Sequence, residues 1–305
     1  MITVIGHKKP DTDSAVAAVM FAKFLQSEKK EAEGFVAGKE NNETNFLFSY
    51  FGIDLPQEKE EIREDEEVFL VDHNDLAQSI AKKENIIGVL DHHLLSGLKT
   101  DKTIFFRVED VGSTSTLVYK MMKERGLDIA EKDAGLLLGG IISDTLNLTS
   151  PTTTTEDIDS LYELAKIAKI DTESFAEKMF EVKSDFSNKN IKDILTDDLK
   201  EYDFGNKKIG IGVAETTSLK YFQENEEEIL KELKKIKEGG DYDALYFGVV
   251  DILSKNTYLY STTKEEDLVV EKIFKVKKDG ASFFLPEVTS RKKQIAPPIS
   301  EFYNN

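Results

Sequence analysis

Cysteine is absent from the 305-residue chain, which excludes disulfides, a thiolate nucleophile and a thiolate metal site. That absence fits a cytoplasmic protein. Positive charge is scarce: 40 Lys and Arg stand against 58 Asp and Glu, for a formal net charge of -18. Such a surface lacks the broad basic field that holds a phosphate backbone, so nucleic acid is not an expected partner. Long apolar runs are missing as well. The longest, at residues 15–22, has eight residues, against the roughly 18 that a membrane span needs. The opening stretch, MITVIGHKKPD, has no basic segment before its short apolar run and does not read as a signal peptide. What is present is a 40% hydrophobic and 10% aromatic composition, enough for ordinary cores and unlike a disordered chain. The length suggests two domains or one large one.

The first half alternates strand-like and helix-like stretches. Residues 2–5 (ITVI) are a short β-favouring run ended by Gly6, and an Ala-rich stretch from Ser14 to about residue 30 reads as a helix. Residues 68–71 (VFLV) and 86–90 (IIGVL) are continuous apolar runs, as strands covered on both faces show. Residues 104–108 read as a further strand, and 115–125 as a helix closed by Gly126. Residues 133–143 (DAGLLLGGIIS) are apolar almost all round, the pattern of a buried helix despite three glycines. Two more helices are expected over 158–170 and 171–182. This alternation predicts an α/β fold, a parallel sheet with helices on both faces. Residues 183–190 (KSDFSNKN) are polar and break the pattern, so they read as a linker. Beyond them, FGNK at 204–207 signals a hairpin between Tyr202 and a strand at 209–213. A charged helix over 218–237 and strands at 245–252, 257–262 and 282–285 follow. The expected organisation is a domain at 1–182, a linker at 183–190 and a smaller mixed α+β domain at 191–305.

The chain has four histidines, His7, His73, His92 and His93, and each follows an expected strand within an Asp-rich segment. The segments are GHKKPDTDS at 6–14, VDHND at 71–75 and DHH at 91–93. In open α/β sheets ligands bind outside the carboxyl ends of the strands, so three such strands would bring these side chains to one crevice. Several Asp packed together repel one another unless cations neutralise them. Mixed Asp and His ligation suits first-row metals better than Mg²⁺ alone, and there are too many ligands for one ion. Two metals sharing a carboxylate would use them, and such a pair activates water against phosphorus. Each motif alone has a plainer reading: Asp-Thr-Asp-Ser can cap a helix, and Asp at a strand end is common in turns. All four histidines falling in such settings favour the metal reading.

Asp91-His92-His93 is the signature of the DHH phosphoesterase superfamily. Together, GHKKPDTDS, VDHND, DHH, VGSTST at 111–116, SDTLNLTSPT at 143–152 and SRKKQ at 290–294 resemble the manganese-dependent, family II inorganic pyrophosphatases. The resemblance implies hydrolysis of pyrophosphate to two phosphates by a metal-activated water, at a two-metal site between a DHH domain and a C-terminal substrate-binding domain. It implies His7, Asp11 and Asp72 as ligands of one Mn²⁺ and Asp13, Asp72, His92 and Asp144 as ligands of the other, with Asp72 bridging. Co²⁺ is the alternative metal, and Mg²⁺ would accompany the substrate. His93 matches a phosphate-contacting imidazole, and Asp91 a carboxylate that orients its neighbours. Asp144 also stands out unaided, because an acid at the end of an apolar helix opposes the helix dipole.

Read alone, SRKKQ is a solvated tail; the resemblance assigns Arg291 and Lys292 to substrate phosphates, with Lys200 of DLKEY as a third cation. It also implies a homodimer formed through the first domain. Lys9, where the family usually has Asn, and Leu148-Thr149, where it carries an aromatic residue and Lys, depart from the pattern. VGSTST offers a helix start that could bind an anion or simply cap. The rival readings are a DHH phosphodiesterase acting on short oligonucleotides or cyclic dinucleotides, and a non-catalytic metal or phosphate sensor. Against the first, no histidine follows His93 and no aromatic-rich basic groove is evident.

Overall fold

Six strands, β1 (Ile2–Lys8), β2 (Ala32–Ala37), β3 (Gln57–Glu58), β4 (Glu67–Val71), β5 (Ile86–Asp91) and β6 (Phe105–Val108), form one sheet in the order β3-β2-β1-β4-β5-β6. Every neighbouring pair is parallel. The structure is a computed structural model that describes every residue except Ser96, Ser187, Asn188, Gly205, Asn305 and the side chain of Lys292. It divides into two units, Met1–Val182 and Lys183–Asn305. The sheet belongs to the first.

Around it lie α1 (Thr12–Ser27), α2 (Asn42–Phe51), α3 (Thr114–Glu124), α4 (Glu131–Thr145), α5 (Thr155–Ala168) and α6 (Thr172–Lys183). Local chemistry sets several of their starts. Asp11, Asn41 and Ser113 cap α1, α2 and α3, and Thr154 with Asp157 forms a capping box on α5. Gly52 in the left-handed region ends α2. All six helices contribute to one core, with Val4, Val36, Phe69, Val71 and Leu90 from the sheet. The opposite face buries Ile5, Phe35, Val68, Leu70, Ile86 and Val89 under residues of connecting segments, including Ile62, Ile80, Leu98 and Ile104. Where helices were expected on both faces, the second cover is thus built mainly from loops.

The three glycines of α4 have a packing reason. A Cβ on Gly135 would lie 2.2 Å from the Phe51 ring, and one on Gly139 would lie 2.3 Å from Leu47. One on Gly140 would lie 2.2 Å from Ser115 Oγ and 2.9 Å from Asp13 Oδ1. Glycine lets α2, α3 and the start of α1 close on this helix. The stretch from β2 to the end of α2 is structure that the sequence reading did not assign. Strand β1 does not stop at Gly6 but runs on to Lys8.

The second unit holds α7 (Ile191–Thr196), β7 (Leu199–Phe204), β8 (Lys207–Thr216), α8 (Lys220–Glu224), α9 (Glu226–Gly239), β9 (Ala244–Asp251), β10 (Asn256–Ser261), α10 (Lys264–Phe274), β11 (Lys278–Asp279), β12 (Ser282–Leu285) and α11 (Ala296–Asn304). Its sheet runs β11-β12-β10-β9-β8-β7, with β8 and β9 parallel and the other pairs antiparallel. Apolar clusters pack on it around Tyr246 and Phe283, and around Phe222 and Phe247. The helix expected over 218–237 is broken at Asn225, whose side chain donates to the Tyr221 carbonyl at 2.7 Å. In the segment read as a linker, Ser184 is buried and accepts from the Thr217 N–H at 2.8 Å, while residues 187 and 188 lie outside the described residues. Gly205 of the expected hairpin turn also lies outside them, though Phe204 pairs with Lys207 across it. Among the described residues no helix is long and apolar enough to cross a membrane.

Gly34 on β2 tests the helix–sheet contact. A Cβ there would lie 2.6 Å from the Ala18 carbonyl oxygen and 2.8 Å from Val19 Cα, both backbone atoms of α1 that cannot rotate away. Gly34→Ala should destabilise by about 1–3 kcal/mol. Gly239→Ala, facing open space at the end of α9, should be neutral or stabilising. Urea unfolding of both variants checks the contrast.

Candidate metal centre

The strand order reverses between β1 and β4, the place where open parallel sheets bind ligands. His7 lies near the end of β1, and Asp11 and Asp13 stand at the start of α1. Asp72 follows β4 directly; Asp91 ends β5, with His92 and His93 next. Asp144 comes from the last turn of α4. Two of these connections turn through the left-handed region, at Lys9 (φ 57°) and Asp72 (φ 61°). Asp tolerates that conformation; Lys before a proline does so at a cost that Asn would reduce.

The side chains meet around Asp72, which is 1% exposed. His7 Nε2 lies 3.5 Å from Asp72 Oδ2 and 3.3 Å from Asp11 Oδ2. His92 Nε2 lies 3.3 Å from both Asp72 Oδ1 and Asp144 Oδ2. Two groups able to hold an ion result, His7-Asp11-Asp72 and Asp13-Asp72-His92-Asp144, each with its ligand atoms within 4.8 Å of one another. They share Asp72. A third combination, Asp72-His92-His93, overlaps the second.

The donor set fits divalent ions on its own terms. Among the described residues Asp72 Oδ2 and His92 Nε2 are buried and find no hydrogen-bond partner, an arrangement that would be unfavourable for groups with no further ligand to bind. Each ring is also oriented from behind. His7 Nδ1 donates to the Lys8 carbonyl at 2.9 Å and His92 Nδ1 to the Val111 carbonyl at 3.0 Å, which turns both Nε2 atoms toward the carboxylates.

Electrostatics make the same demand. Burial lowers the His7 pKa, but Asp11 and Asp72 outweigh it and push it up to about 11. His92 likewise is lowered by burial yet pushed up to about 12 by Asp144 and Asp72. Burial and the neighbouring Asp72 push Asp13 up to about 6, and burial with Asp13 lifts Asp144 well above the usual carboxylate range. Asp72 goes the other way: burial would raise it, but His7 and His92 hold it far below. Crowded carboxylates require positive charge here, and divalent ions supply it most compactly.

Outer contacts fix these groups. Asp13, fully buried, accepts from Ser113 Oγ at 2.8 Å, Thr114 N–H at 2.6 Å and Ser115 N–H at 3.0 Å, and Thr114 Oγ1 donates to Asp72 at 2.9 Å. The VGSTST helix start therefore serves the chain's own carboxylates. Asp91 accepts from the N–H groups of His92 and His93 at 2.8 and 3.1 Å, from His93 Nδ1 at 2.9 Å and from Asn74 at 2.6 Å. Glu43 accepts from Thr12 at 2.9 Å and Ser143 at 2.7 Å, the neighbours of Asp11, Asp13 and Asp144. Sequence reading missed Asn74, Thr114 and Glu43; a hydroxyl-rich helix start was the one visible signal. His73 stays outside the ligand groups, buried with Nδ1 donating to Val71.

In the second unit, Arg291 is held by one acid. Its Nη1 pairs with Asp198 Oδ2 at 2.9 Å and also bonds the Asp198 carbonyl. Lys200, largely exposed, lies 3.9 Å from Asp198 Oδ1. Gln294 shapes the loop, accepting from the N–H groups of Thr289 and Ser290. The side chain of Lys292 lies outside the described residues.

Family models match the chain in two stretches: the DHH family, N-terminal domain, at residues 1–141, and the DHHA2 domain at residues 177–302. The chain is 36% identical to the "manganese-dependent inorganic pyrophosphatase" of Methanothrix thermoacetophila, covering 99% of this chain and 98% of that one. It is 35% identical to the "probable manganese-dependent inorganic pyrophosphatase" of Clostridium acetobutylicum, over 98% and 97%. Among solved structures it resembles the "putative family II inorganic pyrophosphatase" of Methanococcus jannaschii, with a TM-score of 0.68, 34% identity and full coverage of both chains.

Asp72 is the discriminating position. Asp75 only caps a single turn, accepting from the Ala77 N–H at 2.9 Å. Asp72→Asn should weaken Mn²⁺ binding by more than the roughly 10–100-fold that loss of an outer partner costs, whereas Asp75→Asn should leave it unchanged. Calorimetric titration of both metal-free variants decides; equal affinities would remove the shared-carboxylate arrangement.

Proposed function

The chain belongs to the manganese-dependent inorganic pyrophosphatases, and on that premise we propose that it hydrolyses inorganic pyrophosphate to two phosphates, with the Asp/His cluster of the first unit as its metal centre. The observation that carries the reading is the sharing of Asp72 by two ligand groups. In this reading residues 1–182 are the catalytic metal-binding domain and 191–305 the substrate-binding domain. His7, Asp11 and Asp72 hold one ion; Asp13, Asp72, His92 and Asp144 hold the other. The mix of imidazole and carboxylate favours Mn²⁺ or Co²⁺ over Mg²⁺, which arrives with the substrate. Bound there, the ions supply Lewis acidity and a water acidified to a pKa of about 7.

The chain's own residues orient and neutralise. His93, fixed through Nδ1 by Asp91, has Nε2 available to donate to a phosphoryl oxygen. Burial would lower its pKa, but Asp91 is the larger influence and raises it, which favours the donating form. Arg291 offers a planar fork and Lys200 and Lys292 point charges to the phosphates, offsetting the charge that develops on the leaving group. The remaining parts of the reading are a cytoplasmic homodimer and no role on nucleic acid.

Two experiments test this. Metal-loaded protein should prefer pyrophosphate clearly over a dinucleotide and over nitrophenyl phosphate at equal concentrations, measured by phosphate or nitrophenol release. Preference for either organic substrate would favour the phosphodiesterase. In addition, Arg291→Ala should lower kcat/KM by about 10²-fold while Mn²⁺ titration stays at the parent value. Loss of metal binding in that variant would overturn the division of labour.

A further inference from the structure

Asp157 is not one of the ligands, yet it is fully buried in the first turn of α5. Its Oδ2 accepts from the Thr154 N–H at 2.8 Å, from the Thr154 hydroxyl at 2.6 Å and from the Gly112 N–H at 2.8 Å. Its Oδ1 accepts from the Thr116 hydroxyl at 2.6 Å. The Thr154 contacts belong to the cap of α5. The other two leave that helix and grip both ends of segment 112–116.

The residues between those grips are the ones that face the metal centre. Ser113, Thr114 and Ser115 direct side-chain and backbone donors to Asp13, and Thr114 Oγ1 donates to Asp72. Among the described residues, every hydrogen bond given to the Asp13 carboxylate comes from this segment. A capping box needs its acid only to reach back to the cap residue, and burying a carboxylate is costly. The burial of Asp157 is accounted for by what it holds.

We propose that Asp157 is a positioning residue of the metal centre: by fixing Gly112 and Thr116 it sets the arc of donors that aims Asp13 and Asp72. The proposal rests on the reading of those two residues as ligands. Its effect falls on the ion held with Asp13, and much less on the ion held by His7 and Asp11.

Three variants of the full chain separate this role from helix capping. Asp157→Asn sets an NH₂ group against one of the donors it now accepts. Thr116→Val removes one grip and leaves the cap. Thr154→Val removes the cap hydroxyl and leaves both grips. Each is titrated with Co²⁺, read by calorimetry and by visible absorption, which reports the ligand geometry. Asp157→Asn and Thr116→Val should weaken one of two bound ions about tenfold or more and change the Co²⁺ spectrum. Thr154→Val should lower Tm while affinity and spectrum stay at parent values. If Thr116→Val keeps both ions with parent affinity and spectrum, Asp157 is a helix cap only; that variant decides alone if Asp157→Asn does not fold. Asp13→Asn guards the premise, since it should lose one ion. Parent binding by Asp13→Asn would overturn the ligand reading itself.

Discussion

Repulsion among buried carboxylates is the force that the first unit is organised to contain. Asp11, Asp13, Asp72 and Asp144 meet around two imidazoles, with Asp13 and Asp72 sealed from solvent. Left to themselves, such groups would separate or take up protons. They stay together because the scaffold holds them from behind: Asp13 by the start of α3, Asp72 by Thr114, and Thr12 and Ser143, the residues beside Asp13 and Asp144, by Glu43. The scaffold supplies oriented dipoles, and the net positive charge has to come from imidazolium or from metal.

The parallel sheet makes that convergence possible without long loops. Strands β1, β4 and β5 are neighbours, so their carboxyl ends deliver His7, Asp72 and Asp91-His92-His93 side by side. Helix α4 brings Asp144 from behind, and it can approach only because Gly140 leaves room for Asp13 and Ser115. A packing feature of the core thereby becomes a condition of the site. Asp72 itself sits in the left-handed region, a backbone cost that short polar residues bear most easily and that the surrounding contacts maintain.

Not every element announced itself. The AEGFVA of β2 has neither clean alternation nor a long apolar run, and its strand character comes from parallel pairing with β1. Helix α2 carries a cap at Asn41, but its aromatic run is not helical by propensity; Leu47 and Phe51 gain their place by packing on the glycines of α4. The second unit hid α10, although Thr263 and Glu266 have capping-box spacing. The break at Asn225 was hidden too, because charged residues on both sides read as one solvated helix.

The sequence by itself pointed to a crevice of carboxylates and imidazoles that calls for divalent ions. The Asp- and His-rich segments around His7, Asp11, Asp13, Asp72 and His92 stood out because residue type and place after a strand are local, and Asp144 because an acid ends an apolar helix; their assignment as one ligand set came from family resemblance. Arg291 and Lys200 could be named only through family resemblance, since a cation on an acidic chain carries no address of its own. Tertiary structure alone decided who holds whom. Asp198 pairs with Arg291, Asn74 with Asp91, and the Ser113–Ser115 donors with Asp13, across separations of 93, 17 and about 100 residues. Hydrogen bonds of that span depend on the packing of whole elements, and no local pattern encodes them.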